Sequence, residues 1–195
     1  MAVLLDHVPW SPPGVDPDKW RRALAEDVVD LLATLAEVEP AIAATPADRS
    51  LADAVAWPSM RVYDVPSATV NAVLAAAAAD GFEQAAVIAA DAPDVPGLIL
   101  GKLMRPLTTK PVAVAPTEGG QGLFGVAARL PAPDWLPDLD FDSDPRSVRP
   151  TAPRPSDVAL TPPWRRVRTP ADLATLDPAV EGWDATRALL TSGTP

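Results

Sequence analysis

The sequence predicts a three-layer α/β/α fold on a mixed, mainly parallel β-sheet, and three observations carry that expectation. Short apolar runs alternate with helical stretches over most of the chain, the rhythm of a layered parallel sheet. Residues 85–90 form an unbroken apolar run, as in a central strand covered on both faces. No self-similarity at a period of about 20 to 50 residues is present, which argues against solenoids and propellers.

The elements follow in order. Residues 2–8 read as a buried strand. Asp16-Pro17 supplies a cap followed by proline at the first helical position, and Trp20, Leu24, Val28, Leu31, Leu32 and Leu35 then share one helical face. Residues 40–45 and 60–65 are brief strands. Ser67 is placed to cap a helix carrying Val70, Val73, Leu74 and Ala77. The apolar run at 85–90 ends at Asp91-Ala92-Pro93-Asp94 and leads into a helix over 95–107. Strands follow at 111–115 and 122–130. Residues 164–168 alternate like a strand, Thr169-Pro170-Ala171-Asp172 starts a helix, and Asp177-Pro178 repeats the cap-plus-proline device before a last helix bearing Trp183, Leu189 and Leu190.

Residues 131–163 differ in character. Proline is dense there, among Asp138, Asp140, Asp142, Asp144, Arg146, Arg149 and Arg154. Such a stretch forms neither a regular helix nor a central strand. It reads as an extended loop over the body or a flap, within one domain spanning residues 1–195. The spaced aspartates lack the glycine and terminal glutamate of a calcium loop and read as solvated.

Composition excludes several classes. The chain has no cysteine, so disulfides, thiolate metal sites and cysteine nucleophiles are ruled out, and a reducing compartment suits it. The net charge of −10 disfavours nucleic acid as a partner, because phosphate backbones need a basic face. The opening residues have neither a basic leader nor a long apolar run, so no signal peptide or membrane partner is expected and the cytoplasm is the default location. The lone histidine, His7, makes neither a triad nor a metal site by itself. Trp10, Trp57 and Trp135 flank proline-rich turns as packing anchors, with base stacking open to Trp10.

Three segments together resemble one family. Ala86-Val87-Ile88-Ala89-Ala90-Asp91-Ala92-Pro93-Asp94-Val95-Pro96 is similar to a strand ending in Gly-x-Asp-x-Pro-Asp-Leu-Pro. Ala115 to Gly125, holding Glu118-Gly119-Gly120, is similar to Pro-x-x-Asp-Gly-Gly-Tyr-x-Leu-x-Gly. Trp164 to Leu173 is similar to a closing Asp-Val-Asp-Thr-Pro-Glu-Asp-Leu. In this order they resemble the short nucleotide-diphospho-sugar-transferase-like proteins of the glycosyltransferase A fold. That group includes a proposed arsenosugar-pathway glycosyltransferase and is related to the molybdenum cofactor guanylyltransferases.

The resemblance implies a nucleotide or nucleotide sugar as ligand and a divalent Mg or Mn ion, with Asp91 as the metal-contacting acid. Asp94 would stand behind it, and Glu118, Gly119 and Gly120 would line the sugar or acceptor pocket. Bland alternatives stand beside each role. Asp91 and Asp94 also suit a helix cap, more so for Asp94, and Gly-Gly also suits a plain turn.

Two departures matter. The family's Gly-x-x-Lys-Thr-Arg-Leu phosphate loop is replaced by Trp10-Ser11-Pro12-Pro13-Gly14-Val15-Asp16-Pro17, whose prolines lack the N–H donors a phosphate cradle uses. Lys19, Arg21 and Arg22 lie beyond it on a helix and read as solvent-facing. Arg166 and Arg168 stand where the resemblance expects two aspartates, and a guanidinium cannot ligate a cation. Either arginine inside the site would repel a metal and pair with Asp91, or contact phosphate in the metal's stead. On the surface, both would be a solvated strand edge.

Two classes of function therefore stand: a nucleotidyl or glycosyl transferase-like protein with an eroded metal and phosphate site, or a pseudoenzyme keeping the fold for protein binding or regulation, its partner unspecified.

Overall fold

Side-chain alternation along the central strands divides the interior into two layers. In strand β1 (Ala2–Leu4), Ala2 and Leu4 face one core while Val3, with Leu5 beyond the strand end, faces the other. Strands β2 (Ala41–Ala44), β3 (Arg61–Asp64), β4 (Gln84–Ala89), β5 (Val112–Pro116), β6 (Leu123–Arg129) and β7 (Val158–Leu160) complete one sheet of order β3-β2-β1-β4-β6-β5-β7. Only β6 runs against the rest. This computed structural model describes residues 1–177, 179 and 181–192.

On one face, helices α1 (Pro17–Thr34), α2 (Arg49–Val55) and α4 (Gly97–Met104) pack Val28, Leu32, Val55, Leu100 and Leu103 against Ile42, Ile88 and Phe124. The opposite face is covered by helix α3 (Val70–Ala79) and by residues 131–163, which contribute buried Leu136, Leu139, Phe141, Val148 and Val158. The proline-rich segment thus does the work of a helical layer, through three 3₁₀ turns and the edge strand β7. Each large side chain buried in this way contributes roughly 1.5–3 kcal/mol. A third cluster joins Trp20 and Leu24 of α1 to Val167, Leu176 and Trp183, where α5 (Pro170–Leu173) and α6 (Asp184–Ser192) close against α1. Among the described residues, no helix is long and apolar enough to cross a membrane.

Local chemistry accounts for the caps. The Asp16 carboxylate accepts from the Asp18 and Lys19 amides with Pro17 at the first helical position, and Thr169 Oγ1 accepts from Asp172 N. Other expectations need correction. The first strand is shorter than 2–8 because the Asp6 carbonyl takes Arg21 Nε and its carboxylate takes His7 N, which diverts the chain from the ladder. Thr69, not Ser67, caps α3, accepting from Ala72 N. The 95–107 helix starts at Gly97 and gives way to a 3₁₀ turn over Arg105–Thr108, where Pro106 has no N–H to continue an α ladder. Residues 164–168 make only one isolated bridge, Thr117 with Trp164. The last helix begins at Asp184, well after Asp177, and Pro178 lies outside the described residues. Helix α2 and strand β7 are additions to the sequence reading.

The chain runs outward from β1 to β3 and then returns to β4 on the other side of β1. Such a reversal opens a crevice at the carboxyl ends of the strands. Asp6 follows β1 there, and Asp91 follows β4.

Candidate functional site: an arginine-closed acid beside an open cleft

Asp91 is fixed by its own backbone and by its side chain. Its carbonyl accepts from Val167 N at 2.6 Å, stitching the 164–168 segment across the end of β4. Its carboxylate is met fork-to-fork by Arg166, with Nε to Oδ1 at 2.7 Å and Nη2 to Oδ2 at 3.0 Å. Both side chains are only 3% exposed, a geometry in which charge-assisted pairs are strong. Arg166 also donates through Nη1 to the Phe141 carbonyl at 3.0 Å and lies over the Phe141 ring, 5.2 Å from its centroid. Burial presses the Arg166 guanidinium toward neutrality. The charge of the Asp91 carboxylate outweighs this, with Asp142 and Asp6 adding to it, and the Arg166 pKa moves upward.

Two further ion pairs flank this one. Arg165 donates through Nη2 to Asp94, which also accepts from Trp164 Nε1 at 3.3 Å. Arg168 donates through Nη1 to Asp142, while its Nε lies 3.7 Å from Asp91 Oδ2. Neither Asp91 nor Asp94 caps α4, whose N-cap residue is Pro96 and whose first turn takes no side-chain cap bond. Both acids face the arginine segment instead, which corrects the capping alternative.

The Glu118-Gly119-Gly120 turn joins β5 to β6, with Gly120 N bonded to Thr117 O at 2.8 Å and Thr117 N to Gly122 O at 3.0 Å. It is therefore a turn, and it is also a wall. Glu118, Gly119, Arg165, Arg166, Arg168 and Asp172, with their neighbours, line an open cleft of about 350 Å³. Gly120, whose φ is +66°, borders a second groove of about 410 Å³ that shares Gly119 and Gln121 with the first. Glu118 is about half exposed, 3.9 Å from Arg165 Nη1.

The structure thus brings Asp91, Arg166 and Arg168 into contact and sets Glu118 and Gly119 along the adjoining cleft. Sequence reasoning missed the roles of Arg165, Asp142 and the Phe141 carbonyl. The available signal was charge complementarity between the arginine run and the aspartates at 138–144. It also misread Arg21, which is not solvent-facing: it ties the Asp6 carbonyl at 2.9 Å to the Asp48 carboxylate at 2.7 Å. His7 is exposed, and Trp10 packs edge-on against Trp20 at 6.1 Å.

A divalent Mg or Mn ion does not fit this arrangement. A guanidinium engages both Asp91 oxygens, and among the described residues no group of three acids or histidines could hold a metal ion.

The sheet order and the layers covering it are those of the nucleotide-diphospho-sugar transferase fold, as comparison with solved structures shows. A candidate nucleotide-diphospho-sugar transferase from Desulfovibrio desulfuricans G20 superposes with a TM-score of 0.67 at 18% identity, covering 98% of this chain and 96% of that one. A cytidylyltransferase from Leptospira borgpetersenii gives 0.60 at 10% identity, over 98% and 92% of the two chains. CMP:2-keto-3-deoxy-manno-octonic acid synthetase, solved with CTP, gives 0.54 at 13% identity over 99% and 98%. No protein-family profile and no curated protein sequence matches the chain.

Proposed function

We propose that this protein binds a nucleotide or nucleotide sugar in the cleft beside Gly119, in the manner of the transferases whose fold it shares, with arginines neutralising phosphate charge in place of a carboxylate-held cation. The observation that carries this reading is the Arg166–Asp91 fork, which sets a guanidinium against the acid that the resemblance assigns to a metal. Arg165 and Arg168 extend the positive charge along the cleft wall. Guanidinium groups match phosphate oxygens in a planar, two-donor geometry. Fixed donors of this kind stabilise charge on a departing phosphate.

A thermal-shift screen of nucleoside diphosphates and nucleotide sugars, with and without Mg or Mn, tests this. A ligand at about 100 times its Kd stabilises by roughly 2.7 kcal/mol, on the order of 5 to 10 °C for a chain of this size. The expected outcome is a rise that does not require metal. A rise seen only with metal overturns the arginine-for-cation reading.

A second reading is a pseudoenzyme serving protein binding or regulation. One observation favours it: Asp91 and Asp94 are buried and each is already paired with an arginine. A flat screen across all ligands supports that reading over the first.

A further inference from the structure

Every arginine around the cleft is already paired with an acid, and acids outnumber arginines there. Arg165, Arg166 and Arg168 pair with Asp94, Asp91 and Asp142, while Glu118 and Asp172 stand on the same wall. Asp172 is occupied in accepting from Arg168 N at 3.1 Å and Thr169 Oγ1 at 2.8 Å. A phosphoryl group approaching this set meets more acids than arginines, and displacing one acid lessens the repulsion it meets.

The three paired acids differ in their freedom to leave. The side chains of Asp91 and Asp94 are buried, at 3% and 0% exposed, whereas that of Asp142 is 67% exposed. Like the buried Asp91, Asp142 touches two arginines, bonded to Arg168 Nη1 and 3.7 Å from Arg166 Nη1. Its backbone is held independently. Asp142 N donates to Asp140 Oδ1 at 3.0 Å, and Ser143 Oγ donates to the same oxygen at 2.7 Å. The side chain can therefore turn to solvent without moving the loop, and exposed ion pairs are weak enough to break at small cost.

We infer that the Asp142 carboxylate is an internal stand-in for a phosphoryl group, holding the place between Arg168 and Arg166 that a phosphate or diphosphate ligand takes by displacing it. This rests on the proposed arginine-based binding of a phosphorylated ligand. It adds to that reading a defined phosphoryl position and a built-in competitor carried on residues 131–163. Displacement frees Arg168 Nη1 and the Arg166 edge while leaving the Asp91–Arg166 fork intact. The site then gains ligand charge in exchange for the acid it loses.

The test is isothermal titration with inorganic pyrophosphate at fixed ionic strength, on the intact protein and on Asp142→Asn, Asp142→Ser and Asp138→Asn. Asp138 is an exposed acid on the same segment, and it controls for the general effect of removing one negative charge. The expected result is at least threefold tighter binding in both Asp142 variants and a smaller change in Asp138→Asn. Equal affinity in the wild type and the Asp142 variants, or equal tightening in Asp138→Asn, overturns the stand-in role while leaving arginine-based binding in place. No pyrophosphate binding by any of the four proteins overturns both.

Discussion

Arg166 seals Asp91. One guanidinium edge covers both carboxylate oxygens, and the pair sits almost wholly out of water where the switch-point crevice opens. Buried pairs of this kind owe little net stability to their mutual attraction, because desolvation offsets it, yet losing one partner strands the other. Arg166→Met alone is expected to cost about 3 kcal/mol or more, and Asp91→Leu a similar amount. The double variant should cost less than either single change, since no charge is then left unpaired. The Phe141 carbonyl still accepts from Leu123 N at 2.9 Å when Arg166 is gone, so it is not orphaned. Urea unfolding followed by tryptophan fluorescence gives the cycle, and purely additive losses would show the two residues to be uncoupled.

The Phe141 carbonyl also explains a glycine. Gly122 has φ of +96°, and a Cβ there would lie 2.5 Å from Phe141 O. Gly122→Ala therefore combines left-handed strain with a backbone clash, at a cost of roughly 2–4 kcal/mol, and it pushes away the acceptor that Arg166 Nη1 uses. Gly119→Ala meets open space without a left-handed φ and should change stability by less than about 1 kcal/mol. Thermal melts of the two variants side by side check this, and equal losses would contradict the assignment.

What the sequence made legible here is mostly local. Asp16 with Pro17 and Thr169 with Asp172 are short-range caps, and the apolar run ending in Asp91 follows from the burial of β4 alone. The missed features are contacts across long stretches of chain. Asp142 lies 26 residues before Arg168 and Arg165 lies 71 after Asp94, so no window along the sequence joins them. The 131–163 segment was legible as irregular, because proline forbids ladders. Its role as a packed layer depends on Leu139, Phe141 and Val148 finding the far face of the sheet, which periodicity cannot show.

The loop from Trp10 to Pro17 stands where the resemblance expects a phosphate cradle, and its acid has a structural task. Asp16 accepts from Asp18 N and Lys19 N, both at 3.0 Å. Asp16→Ala should lower stability by about 1 kcal/mol, as loss of a cap does, and leave pyrophosphate affinity unchanged. Calorimetric titration of the variant beside thermal melts separates the two effects. A clear gain in affinity would place this loop within reach of the ligand.

Asp27 supplies the last prediction. It is a buried acid on α1 whose two oxygens accept from Ala185 N at 2.8 Å and Thr186 N at 2.9 Å, so one helix caps the start of another 158 residues away. Burial raises its pKa from 3.8 to about 6. Hydrogen bonds from Thr186 and Ala185 oppose the rise, and the nearby Asp30 charge adds to it. Because the folded pKa is the higher one, the folded protein keeps a proton between about pH 4 and 6 that the unfolded chain releases. The stability linked to this group is therefore largest at low pH, falls as pH rises through that window, and is level above about 6. The change amounts to about 1–3 kcal/mol. Asp27→Asn removes the titration and keeps one acceptor, so its stability relative to wild type should rise across the window. Urea unfolding of both proteins at several values from pH 4 to 7 reads the difference directly, cancelling every acid they share. A difference that stays flat across the window would mean that Asp27 holds α6 with an ordinary carboxylate, and the coupling between pH and the closure of α6 on α1 would have to lie elsewhere.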